Sequence, residues 1–146
     1  MQWTLRSATP ADRDFLFALH EATMRPYVEA TWGWDDAEQE RFFDQNFDPA
    51  KQRIVQMDGT DAGMLSLEER DEEIWLAAIE IHPRFQGRSL GTEIIQSVLD
   101  RGAAAGKPVA LRVLRVNPRA RSFYEKLGFR SIRETETHTY LRAVSV

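Results

Sequence analysis

The sequence predicts an α+β domain built on a mixed, mostly antiparallel sheet of about seven strands with helices on both faces. Three observations carry this. Between Gln52 and Pro83 three apolar runs alternate in the manner of strands, separated by Asp58–Gly59 and by the charged stretch Glu68–Glu73, which reads as an antiparallel meander. From Ala77 to Leu114 the order is strand, helix, strand, the signature of one parallel crossover. A length of 146 residues suits one compact core and no second domain, so the boundaries expected are 1–146.

Each element has its own local reason. "WTLRSA" from Trp3 reads as a first strand. Thr9 as N-cap, Pro10 in the first turn and Asp12 near the helix N-terminus then start a helix whose Phe15, Leu19 and Ala22 share a face. Arg25–Pro26 is expected to end that helix or to begin a short second one. An aromatic loop around Gly33 follows, holding Tyr27, Trp32 and Trp34, before a helix over Asp36 to Asn46. Leu90, Ile94, Ile95, Val98 and Leu99 keep helical spacing, with Gly102 and Gly106 near the end. "KPVALRVLRV" alternates as a strand; Asn117, Pro118 and Gly128 bracket a short helix; two strands near 129–135 and 137–143 close the chain.

Composition narrows the function classes. A net charge of −4 argues against nucleic acid as the main partner, and no apolar run approaches the roughly 20 residues needed to span a bilayer. The chain has no cysteine, which excludes disulfides, thiolate metal sites and a cysteine nucleophile and agrees with a cytoplasmic setting. "MQWTLRSATPADRDF" has no basic region followed by a long apolar stretch, so no secretory signal is expected. Charge is divided unevenly: Tyr27 to Glu73 holds fourteen acids against four bases, and Arg84 to Lys126 nine bases against three acids. Such a division suits an anionic ligand on one part and a cationic one on the other.

"HPRFQGRSLG", His82 to Gly91, joins an apolar run to an amphipathic one. A loop entering a helix N-terminus aims backbone N–H groups at one spot, and Arg84 and Arg88 add charge, so the stretch is a candidate anion cradle. A plain strand-to-helix turn is the alternative that these residues alone leave open.

"IEIHPRFQGRSLG", followed downstream by "VNPRARSFYEKLGF", resembles the GCN5-related N-acetyltransferase family. The family's loop pattern is Q/R-x-x-G-x-G/A, followed later by an asparagine and a tyrosine before L-G-F. Gln86, Gly91, Asn117, Tyr124, Leu127, Gly128 and Phe129 match in order and spacing, and Ser89 stands where the pattern has its middle glycine. The resemblance implies the acyltransferase fold with a splayed parallel pair of strands, acetyl-CoA as donor, and no metal. It further implies that the amides of Gly87, Arg88, Ser89, Leu90, Gly91 and Thr92 hold the pyrophosphate and that Gln86 shapes the turn. Asn117 joins the donor site. Backbone groups near Ile81 and His82 are expected to bond the pantetheine and polarise the acetyl carbonyl.

Two residues are candidates for proton transfer. Tyr124 matches the family tyrosine that protonates the departing thiolate. Glu80, a carboxylate opposite Ile79 and Ile81 in a mostly apolar strand, is the candidate base, acting directly or through water, with an ion pair to Arg112 as the alternative explanation. His82 is a weaker candidate for a proton relay. For the acceptor, Tyr27, Trp32 and Trp34 with Glu29, Asp35 and Asp36 suit a small cationic primary amine. A protein N-terminus or lysine as acceptor, and a non-catalytic CoA-binding module, are the competing readings. Exposed edge strands of such a fold offer a pairing surface for a homodimer.

Overall fold

A computed structural model describes residues 2–144. The strands are β1 (Trp3–Ser7), β2 (Arg53–Met57), β3 (Thr60–Glu69), β4 (Ile74–Ile81), β5 (Val109–Leu114), β6 (Arg130–Glu134) and β7 (His138–Ala143). The helices are α1 (Arg13–Trp32), α2 (Asp36–Asn46), α3 (Leu90–Ala105) and α4 (Pro118–Lys126). The sheet order is β1-β2-β3-β4-β5-β7-β6, mostly antiparallel with β4 and β5 as the parallel pair. That parallel ladder pairs Ile74 with Val109 and Trp75 with Ala110.

The chain divides into two compact units, residues 1–66 with 78–87, and residues 67–77 with 88–146. In the first, β1 pairs antiparallel with β2 and β2 with β3 through a turn in which Asp58 and Gly59 both take positive φ, 49° and 84°. Its core gathers Ala8, Leu16, Leu19, Ile54 and Met64, against which Phe15, Phe43, Phe47 and Ala78 pack. Arg13 ties α1 to α2 by donating to Asp44 at 2.7 Å and to Glu40 at 3.0 Å. Asp12 holds the entry to α1: its carboxylate accepts from the Thr9 amide at 2.8 Å and from both terminal nitrogens of Arg6.

The expectation that Arg25–Pro26 ends the first helix fails. α1 runs through Pro26 to Trp32 and stops at Gly33, whose amide donates to the Glu29 carbonyl at 2.9 Å. Pro26 removes only the amide that would reach Ala22, and buried Leu16 and Leu19 before it and Val28 after it anchor both halves. Arg25 also reaches Glu21 at 2.8 Å and Glu29 at 3.7 Å, one turn on either side. Tyr27 and Trp32 are therefore helical, and the aromatic loop begins only at Gly33. The buried stripe of α1 also differs from the expected one, since Leu16 and Leu19 are buried while Ala22 is exposed.

In the second unit, Leu90, Ile94, Ile95 and Val98 bury the apolar face of α3. Lys107 N–H closes the helix end on the Gly102 carbonyl at 2.9 Å, with Gly106 in the left-handed region. A Cβ on Gly102 would stand 2.8 Å from the Lys107 carbonyl oxygen and 3.0 Å from Val109, so the helix end meets β5 where only hydrogen fits. Asn117 caps α4 by accepting from Ala120 N–H at 3.1 Å, and Tyr124 is the buried residue of that helix rather than Phe123 or Leu127.

Candidate active site

The loop from His82 to Ser89 opens α3. A short 3-10 turn at Pro83–Phe85 leads into Gln86, whose side-chain amide donates to the Ile81 carbonyl at 2.8 Å and ties the loop back to the end of β4. Gly87 follows at φ 76° and Ser89 at φ 64°, ψ 7°, both left-handed, with Ser89 as the N-cap of α3. The serine side chain makes no capping hydrogen bond, while its carbonyl accepts from Glu93 N–H at 3.0 Å. The first helical amides, from Leu90 onward, lie where a helix offers no carbonyl partner of its own, and the helix dipole adds positive character there. Ser89 thus occupies a conformation that glycine takes without cost and serine does not.

Two of the backbone groups near Ile81 and His82, expected to meet the pantetheine and the acetyl carbonyl, have partners within the protein. His82 N–H donates to the Ala62 carbonyl at 2.8 Å, and the Ile81 carbonyl accepts from Gln86. The His82 imidazole is likewise a loop group, its Nδ1 accepting from Arg84 N–H at 3.1 Å. A cleft of about 230 Å³ lies beside His82, bounded by Phe15, Leu19, Asp61 and Phe85.

Glu80 is held in a different way from that expected. Its Oε2 lies 3.1 Å from Nδ1 of His20, with the carboxylate side chain 11% and the histidine side chain 28% exposed. Arg112, the partner considered from sequence, instead faces Tyr140 across the β5–β7 register and lowers the pKa of that phenol. The His20 ring has two aromatic neighbours, Trp34, stacked at 6.1 Å between centroids, and Phe43 at 6.3 Å. Trp34 is held in turn by Nε1 donating to Asp36 at 2.8 Å and by the Arg25 guanidinium 5.2 Å from its ring centre. Gly63 permits the approach of β3 to this point, since a Cβ there would collide with the Glu80 carbonyl oxygen.

His20 is the site residue that sequence reading missed. Its signal was Leu16, Leu19, His20 and Thr23 at helical spacing, a polar ring on the stripe that α1 buries. The predicted acceptor residues are only partly assembled. Trp34 stands with His20 and Glu80, whereas Glu29 pairs with Arg25 and Asp35 caps α2 by accepting from Glu38 N–H at 2.9 Å. Asp36 also lies 3.6 Å from Arg25, so much of the negative charge counted around Gly33 is already balanced. Trp32 stands 61% exposed on the last turn of α1, and Tyr27 is half-buried on the same helix.

In the second unit, Tyr124 sits between Phe123 and Phe129, with ring centres 5.1 and 5.5 Å away. Burial pushes its phenol pKa well up, so the group stays a neutral proton donor throughout the neutral range. Burial and then the Arg112 charge lower the pKa of His138. A cleft of about 250 Å³ runs beside Asn117, Pro118 and Arg121.

A model of the acetyltransferase (GNAT) family matches residues 16–129. The chain belongs to the GNAT acetyltransferase family. Solved structures with the GNAT fold cover nearly all of it at low identity. The PaiA N-acetyltransferase of Thermoplasma acidophilum, in complex with coenzyme A, aligns at a TM-score of 0.80 and 15% identity over 99% of this chain and 100% of its own. An acetyltransferase of Thermus thermophilus gives 0.74 and 20% over 99% and 98%. The ribosomal-protein-S18-alanine N-acetyltransferase of Escherichia coli gives 0.70 and 18% over 99% and 96%. For this GNAT protein these likenesses establish the fold. Among the described residues no group of three His, Asp or Glu side chains is placed to hold a metal ion, and no helix is long and apolar enough to cross a membrane.

Proposed function

We propose that this GNAT protein is an acetyl-CoA-dependent N-acetyltransferase, one domain over residues 1–146, whose acceptor is a small cationic primary amine. The observation that carries the reading is the loop Gln86–Thr92, where two left-handed residues and an unpartnered helix start follow a β-strand in a chain of this family. The coenzyme A bound to the Thermoplasma relative supports the donor. On this reading the amides of Gly87, Arg88, Ser89, Leu90, Gly91 and Thr92 bind the donor's pyrophosphate, Arg88 adds charge, and Gln86 keeps the turn in shape through Ile81. Asn117 borders the donor site while capping α4.

Glu80 draws the proton from the acceptor ammonium, directly or through a water. The neutral amine then attacks the thioester carbonyl, the C–N bond forms and the C–S bond breaks. Tyr124, kept protonated by burial, supplies a proton to the leaving thiolate. The Glu80 carboxylate, beside the aromatic group of Trp34 and Phe43 around His20, favours a cationic acceptor.

Free-thiol release from acetyl-CoA across a panel of diamines, monoamines and peptide N-termini tests this. Glu80→Gln is expected to lower kcat about 100-fold and Tyr124→Phe about tenfold or more, with acetyl-CoA affinity kept. Arg88→Glu is expected to weaken acetyl-CoA about tenfold, whereas Trp34→Ala spares the donor and raises KM for the amine. Tight acetyl-CoA binding with no amine accelerating thiol release would leave a CoA-binding module in place of an enzyme.

A further inference from the structure

The proposed reaction leaves open what lies between Glu80 and the acceptor amine, and the surroundings of His20 answer it. The imidazole meets Glu80 through Nδ1 at 3.1 Å. A carboxylate only accepts hydrogen bonds, so a neutral imidazole that bonds it carries its proton on Nδ1 and leaves the Nε2 lone pair on the opposite edge of the ring. Nε2 has no hydrogen-bond partner among the described residues, and of the two side chains the histidine is the more exposed, 28% against 11%. Stacking against Trp34, with Phe43 6.3 Å away and tilted 34°, fixes the plane in which that lone pair points. The arrangement is that of a carboxylate orienting an imidazole base: the buried group sets the tautomer, and the outer nitrogen does proton transfer.

Resting on the acetyltransferase reading, we infer that His20 is the catalytic base, its Nε2 accepting the acceptor's proton while Glu80 acts as a positioning residue through Nδ1. The acceptor ammonium gives one proton to Nε2 and becomes a neutral amine. After C–N bond formation the nitrogen gives up its second proton, the departing thiolate takes one up as the C–S bond breaks, and the imidazolium returns its proton to solvent. No oxidant or further reactant is needed. The charged groups around His20 are Glu80 on β4, Arg25 behind Trp34 with its partners Glu21, Glu29 and Asp36, and Arg13 with Glu40 and Asp44 between α1 and α2. Apart from Glu80 these pair with one another, so Glu80 is the charge that His20 meets directly.

His20→Asn separates the roles, because its amide keeps a donor for Glu80 and removes the Nε2 lone pair. Expected is a fall in kcat of about 100-fold, an unchanged acetyl-CoA affinity, and loss of the acid limb expected in the wild-type pH–rate profile. A His20→Asn variant within threefold of wild type that retains that acid limb overturns the inference, since Glu80 then works alone. The pair is read without activity by nitrogen NMR of the imidazole: wild type is expected as the Nδ1–H tautomer, with Glu80→Leu releasing it toward Nε2–H. An Nε2–H tautomer in wild type also overturns it. If wild type binds acetyl-CoA and acetylates no amine, the acetyltransferase reading and the base role fall together, while the NMR result still reports whether the pair exists.

Discussion

Ser89→Gly turns the backbone of the α3 loop into a measurable quantity. At φ 64° and ψ 7° the serine sits in the left-handed region, where an L side chain costs about 1–2 kcal/mol. Its hydroxyl offsets none of this by capping, since it makes no side-chain cap bond. Glycine removes the strain but loses about 0.5–1 kcal/mol through the greater freedom of the unfolded chain. The net expected gain is about 0.5–1 kcal/mol, a rise in Tm of about 2–4 °C for a chain of this size. Because the left-handed conformation belongs to the folded loop, the strain opposes folding, and acetyl-CoA affinity should change by less than about threefold. Thermal unfolding of wild type, Ser89→Gly and Ser89→Ala, each with and without acetyl-CoA, measures both effects. Alanine keeps the strain and should match wild type. The reasoning is refuted if alanine stabilises as much as glycine, or if glycine sharpens acetyl-CoA binding tenfold without raising Tm.

Three other substitutions test the first unit. Gly63→Ala forces a Cβ into the Glu80 carbonyl oxygen and, at 3.3 Å, against the Ile81 Cα, backbone atoms that cannot swing aside; a loss of about 2–3 kcal/mol in urea unfolding is expected, and a neutral result would mean β3 and β4 separate freely there. Pro26→Ala restores the amide that α1 lacks, and denaturant unfolding should show a gain of about 1–2 kcal/mol; a loss would mean the proline holds a bend the fold requires. Asp12→Asn removes a carboxyl whose pKa the Arg6 guanidinium depresses to about 2. A depressed value stabilises the folded state above the unfolded pKa of about 4 and the benefit fades as pH falls toward 2, so the variant should be less stable by about 1 kcal/mol at pH 7 and the two stability curves should converge near pH 2.

How far the sequence alone reaches is visible element by element. Asp58–Gly59, Asn117–Pro118 and the apolar spacing of Leu90 to Val98 act through neighbours a few residues away, and all three appear where the local chemistry puts them. The loop pattern and the later Asn117 and Tyr124 marked the family for the same reason: backbone conformation and helix caps are written in consecutive residues. Proline at position 26 misled because its local cost is outweighed by burial of Leu16, Leu19 and Val28, which is a property of packing. Ser89 shows the limit within the loop, since its residue type says an N–H is present and only the folded backbone says that φ is positive.

The sequence by itself determined the order of elements, the position of the loop that opens α3 and a carboxylate set among isoleucines at Glu80. What that carboxylate touches was decided by tertiary structure. His20 and Glu80 are sixty positions apart, and their 3.1 Å contact depends on α1 running unbroken, on which of its faces is buried, and on Gly63 letting two strands close. A pattern of nearby residues encodes torsions and faces; it holds no information on which distant side chain fills the space opposite, because packing of the whole unit selects that partner.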